Sequence, residues 1–90
     1  MSYRVEWLQV AQDELATLWL QADAAQRQAI TAACHTLDQR LGSDPLNEGE
    51  SRAGGSRITF VSPLAVRFRI EADGRTVTVL HVRVFGRRAR

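Results

Sequence analysis

The sequence predicts an α+β domain of order β-α-α-β-β-β, an antiparallel sheet of about four strands packed on an N-terminal helix hairpin. Residues 57–85 alternate apolar and polar positions with turn signals between them, as three consecutive strands would. Residues 8–41 carry apolar side chains at helical spacing, interrupted once at Ala22-Asp23-Ala24. Charge divides along the same line: the first fifty residues hold three arginines against eight carboxylates, and the last forty hold nine arginines against two. The sheet is therefore the basic part of the molecule, and the helices are its cover.

Tyr3-Arg4-Val5-Glu6-Trp7 alternates and is rich in β-formers, so it is predicted as a short strand at the sheet edge. The first helix has Leu8, Ala11, Leu15, Leu18 and Trp19 on one stripe, with Gln12, Asp13 and Glu14 off it. Trp7 and Trp19 are expected in the core. Asp23 is placed to cap a second helix whose stripe is Ile30, Ala33, Cys34, Leu37 and Leu41, and Gly42 is a natural stop. His35 lies about 100° around that helix from Cys34, so the two do not converge on one site. Cys34 is assigned to the core and His35 to the surface. Residues 42–56 form a loop longer than the usual connection, and loops of that length are functional or mobile.

The faces of the sheet follow from parity. Leu64, Val66, Phe68 and Ile70 point one way, and Ala65, Arg67, Arg69 and Glu71 the other. A two-residue hairpin at Asp73-Gly74, with positive φ at both, would pair Glu71 with Thr76, Ile70 with Val77 and Phe68 with Val79. Beyond Val79 the apolar residues become Leu80, Val82 and Val84, a slip that a β-bulge near Val79 and Leu80 would explain. The bulge moves His81 and Arg83 to the arginine face; the alternative is a last strand buried on both sides. Ile58 and Phe60 are assigned to the core, with Ser62-Pro63-Leu64 as the loop, leaving Arg57, Thr59 and Val61 outside. One basic patch results: Arg57, Arg67, Arg69, Arg83 and His81, with Arg52 reaching it from the long loop. Residues 86–90, Gly-Arg-Arg-Ala-Arg, are predicted to be a flexible cationic tail.

Composition narrows the function classes. Ninety residues make a single domain. No apolar run approaches the ~20 residues of a membrane span, and the N-terminus has no signal-peptide core, so no membrane partner and a cytoplasmic location are expected. Cys34 is the only cysteine, which excludes an internal disulfide and a thiolate zinc cluster. All twelve basic side chains are arginine, whose planar fork matches phosphate or carboxylate. Such a face suits nucleic acid or an acidic protein segment.

With this order of elements the chain resembles the RelE/ParE family of bacterial type II toxin–antitoxin systems. Val5-Glu6-Trp7 with Ala11 and Leu15 is similar to the family's opening strand and helix. Asp44-Pro45-Leu46 and Gly49-Glu50-Ser51-Arg52 are similar to its loop, and residues 63–70 with 77–83 to its hairpin. The resemblance implies an α+β fold, no metal or other cofactor, and a cognate antitoxin that covers the active surface. It also implies one of two activities: RelE-like cleavage of mRNA on the ribosome, or ParE-like inhibition of DNA gyrase by binding. A small basic nucleic-acid-binding module without toxicity is the third reading. For cleavage, His81, Arg69 and Arg83 are the catalytic candidates, and Arg52, Arg57, Arg67, Arg87 and Arg88 the target-binding ones. The chain departs from the nuclease pattern at Ala65, where the family has an arginine, and at the C-terminus, which lacks a tyrosine.

Overall fold

The computed structural model describes residues 2–85. Five strands, β1 (Arg4–Trp7), β2 (Glu50–Ser51), β3 (Ser56–Val61), β4 (Leu64–Ile70) and β5 (Thr76–Val84), form one sheet in the order β1-β5-β4-β3-β2. Two helices, α1 (Gln9–Gln21) and α2 (Ala24–Ser43), cover one face. The α+β architecture is the expected one, with two refinements. The long loop contributes β2, a two-residue edge strand antiparallel to β3. The opening strand β1 lies parallel to β5, so the sheet is mixed. A parallel partner requires a long crossover, and the helix hairpin, loop and β3–β4 meander supply it.

α2 forms as its sequence dictates. The Asp23 carboxylate accepts from the Gln26 amide, and the Gln26 side chain accepts from the Asp23 amide, a reciprocal capping box. Its Ile30, Ala33, Leu37 and Leu41 are buried, and Cys34 is partly buried against the same core. Burial, reinforced by Asp38, pushes the Cys34 thiol up, which disfavours the thiolate. His35 is exposed. α1 is shallower: only Ala11 is fully buried, with Leu15 and Leu18 partly so. Trp7 packs on the core, but Trp19 does not. It lies at the surface under the Arg27 guanidinium, 5.5 Å from its centroid, which corrects its assignment to the core.

Sheet register decides which side chains reach the open face. Ile70 sits opposite Val77, Phe68 opposite Val79 and Arg67 opposite His81, so Val79 and Leu80 share one partner and the bulge is real. His81 and Arg83 are thereby on the Arg67 face, while Val82 joins the core. The turn differs from a two-residue hairpin. Gly74 has φ +70°, but no residue other than glycine has positive φ among those described. The Asp73 carboxylate instead accepts from the Arg75 and Thr76 amides and the Thr76 hydroxyl, closing a four-residue loop by side-chain bonding.

Strand β3 has the opposite parity to that expected. Val61 sits opposite Leu64, Thr59 opposite Val66 and Arg57 opposite Phe68, all towards the helices. The connection is the two residues Ser62-Pro63, joined by a cis peptide, rather than three. A loop one residue shorter moves every side chain of the strand to the other face. Ile58 and Phe60 therefore lie on the open face, and Val61 and Thr59 are buried.

Candidate functional site: a basic depression on the open sheet face

Three cross-strand rows build the open face. Ser56, Arg69 and Thr78 form the row nearest the hairpin turn; Ile58, Arg67 and His81 the middle one; and Phe60, Ala65 and Arg83 the far one. Between the middle and far rows lies a depression of about 220 Å3 lined by Ile58, Ala65, Arg67, His81 and Arg83. Ala65 is what makes it a depression, because the short methyl leaves space between the longer side chains of Arg67 and Arg83.

A carboxylate from α1 closes one side. β1 pairs with β5 only as far as Val79, and the Leu8 amide donates to the Val79 carbonyl as the chain turns into α1. The rest of the β5 edge is met by Glu14. Its Oε1 accepts from the Val82 amide at 2.9 Å, and its Oε2 takes Arg83 Nη1 at 2.7 Å and His81 Nδ1 at 3.1 Å. Partial burial alone would push the Glu14 carboxyl up. The hydrogen bonds from Arg83, Val82 and His81 outweigh it, and the pKa falls to about 2. An ionised carboxylate only accepts, so Nδ1 of His81 is the nitrogen that donates to Glu14, and Nε2 is the one turned away from it.

Sequence reasoning placed Glu14 off the apolar stripe. The signal that would have found it is its spacing, three residues after Ala11 and four before Leu18, which puts it on the flank of the buried face.

The predicted site residues separate into three groups. Arg67, His81 and Arg83 come together around the depression. Arg69 is on the same face one row away, but both its Nε and Nη2 are held by Glu71 Oε2 at 3.3 Å. Arg57 is not in the patch. Its backbone sits opposite the buried Phe68, and its guanidinium turns under the loop to donate to the Glu48 carbonyl, the Gly49 carbonyl and the Ser51 hydroxyl. Arg57 thus fastens the long loop, helped by Thr59 Oγ1 donating to Glu48 Oε2 at 2.6 Å. Arg52 pairs with Glu50 at the β2 edge and does not reach the depression. Arg87 and Arg88 lie outside the described residues. Among the described residues, Arg67 is the one patch cation with neither an ion pair nor a side-chain hydrogen bond. No three His, Cys, Asp or Glu among them are grouped as metal ligands would be.

No protein-family model and no curated protein sequence matches the chain. Solved structures do. A chain of the RelBE2 toxin–antitoxin complex from Mycobacterium tuberculosis superposes with a TM-score of 0.75 at 19% identity, over 94% of this chain and 100% of that one. A chain of the chromosomal ParDE toxin–antitoxin system from P. aeruginosa gives 0.73 at 14% identity, over 94% and 98%. A mutant E. coli RelE toxin in complex with a RelB antitoxin peptide gives 0.58 at 13% identity, over 97% and 87%. The chain has the RelE/ParE toxin fold, over nearly its whole length.

Proposed function

We propose that the chain is the toxin of a type II toxin–antitoxin pair and acts as a metal-independent endoribonuclease on mRNA. The observation that carries the reading is the Glu14–His81–Arg83 cluster beside the unpaired Arg67. A ring fixed as the Nδ1–H tautomer presents Nε2 as a general base, the arrangement used wherever a carboxylate orients a catalytic imidazole. His81 takes the proton of a ribose 2′-OH, whose oxygen attacks the adjacent phosphorus. The bond to the 5′-oxygen breaks, that oxygen takes a proton from solvent, and a 2′,3′-cyclic phosphate remains. Arg67 and Arg83 neutralise the charge that accumulates on the non-bridging oxygens. Glu14 touches no substrate and is a positioning residue. The same cationic face suits a cognate antitoxin with an acidic segment, and the RelBE2 and ParDE neighbours come from toxin–antitoxin systems.

Ala65 favours a second reading, in which the face binds DNA gyrase and performs no chemistry. Induction in a bacterial host separates them. For the nuclease, translation stops, transcripts are cut inside codons, and His81→Ala lowers cleavage by about 10² to 10⁴. For the gyrase binder, supercoiling is lost with transcripts intact, and His81→Ala changes little. Intact transcripts with normal supercoiling, in cells where the protein accumulates, contradict both.

A further inference from the structure

Two exposed aromatic rings pack on each other beside the row that holds Ala65 and Arg83. Phe60 is 51% exposed and Phe85 37%, with centroids 4.9 Å apart and planes at 60°. Phe60 lies opposite Ala65, which lies opposite Arg83, so its backbone is one strand spacing, about 4.8 Å, from that of Ala65, which lines the depression. Two positions along the same strand is Ile58, which also lines it. The chain holds the pair in place: the Phe85 amide donates to the Pro63 carbonyl at 3.0 Å, past the cis Ser62-Pro63 connection.

Exposed apolar rings in contact with each other and rimmed by charged side chains mark an interaction surface. A second copy of the chain is a poor occupant, because it would bring Arg67 and Arg83 against their own counterparts, with Glu14 the only carboxylate paired there among the described residues. A single-stranded polynucleotide has the complementary make-up: phosphates for the two arginines and a flat apolar base for each ring. Resting on the nuclease reading above, we propose that Phe60 and Phe85 form a base-stacking subsite that holds the unpaired nucleotide next to the phosphate in the depression. Stacking on a ring tolerates any base, so the subsite adds affinity and positioning rather than sequence choice.

Fluorescence anisotropy tests this with an eight-nucleotide oligouridylate and an abasic oligomer of the same length. Phe60→Ala weakens oligouridylate by roughly 5- to 150-fold and leaves the abasic oligomer unchanged. Phe60→Leu keeps the apolar area without a π face and shows the same loss, whereas Phe60→Trp retains affinity. Arg67→Ala weakens both oligomers and lowers the salt slope by about one. Rescue by leucine, equal loss on the abasic oligomer, or no loss at all overturns the subsite. So does a change of oligomeric state in sedimentation on Phe60→Ala with RNA affinity intact, which identifies the rings as a contact between copies. If His81→Ala still lowers cleavage by about 10² to 10⁴ under any of these results, the nuclease reading stands without the subsite. If the wild-type protein binds neither oligomer and leaves ribosome-bound mRNA uncut, both fall.

Discussion

The two ends of the open sheet face use the same residue type for different purposes. At the hairpin end charges are matched locally: Arg69 with Glu71, Arg4 with Glu6, and Glu71 also accepting from Thr78 Oγ1 at 2.5 Å. At the other end one carboxylate, Glu14, serves His81 and Arg83 together, and Arg67 has no counter-ion among the described residues. Exposed matched pairs contribute little to stability and attract nothing. A cationic depression with one shared carboxylate keeps a positive excess, which is what an anionic ligand needs. On the proposed reading, what marks the site is how few carboxylates stand near its arginines, not how many arginines there are.

Glu14→Gln breaks the shared contact while its amide oxygen can still accept from the Val82 amide. Cleavage should fall at least about tenfold in kcat with KM little changed, since orientation of the general base is lost and phosphate binding is not. Glu14→Asp should recover part of the loss if the carboxylate acts by positioning, and thermal melting should show both variants folded. Full activity in Glu14→Gln would remove Glu14 from the account.

A smaller effect is expected where an arginine is structural. Arg57→Ala removes three hydrogen bonds that fasten the loop, and denaturant titration should show a loss of about 1–3 kcal/mol. Cleavage per folded molecule should not change. Gly49→Ala should resemble it, because Gly49 has φ +71° and an added Cβ would overlap the Ile58 carbonyl.

Acid should distinguish the ends by one variant. A carboxyl lowered on folding stabilises the protein above its unfolded pKa, and that contribution is lost as pH falls through the folded value. For Glu14 the window runs from its ordinary 4.5 down to about 2. Glu71 and Asp73 are also lowered: Glu71 chiefly by Thr78 and Arg69, Asp73 by the Arg75 amide and the Thr76 hydroxyl. Glu14→Gln should therefore flatten stability between pH 4.5 and about 2 without abolishing it, as measured by chemical denaturation across that range. An unchanged profile would mean that Glu14 is not held as described.

The core faces of α2 and of β4 and β5 were legible in the sequence, because strict helical and alternating periods leave one reading, and the Leu80 slip located the bulge. β3 was not. Arg57, Thr59 and Val61 alternate with Ile58 and Phe60, and either set could face inward until the length of the Ser62-Pro63 connection is known. Hydrophobicity alone favours burying Ile58 and Phe60. The structure buries Val61 and Thr59 instead, satisfying the threonine with Glu48, and exposes Phe60. Within the candidate site, Arg67, His81 and Arg83 followed from parity. Glu14 did not, since its contacts span 67 to 69 positions in sequence.

On the proposed reading the depression, and not the arginine content of the sheet, is the functional site. Arg67 and Arg69 stand two residues apart on one strand and one face, differing in whether a carboxylate neutralises them. Single-turnover cleavage of one ribosome-bound mRNA by purified Arg67→Ala and Arg69→Ala, at equal folded concentration, measures that difference directly. The account predicts a loss of about 10² to 10³ for Arg67→Ala and within about threefold of wild type for Arg69→Ala. Equal losses in the two variants, or the larger loss at Arg69, would contradict it.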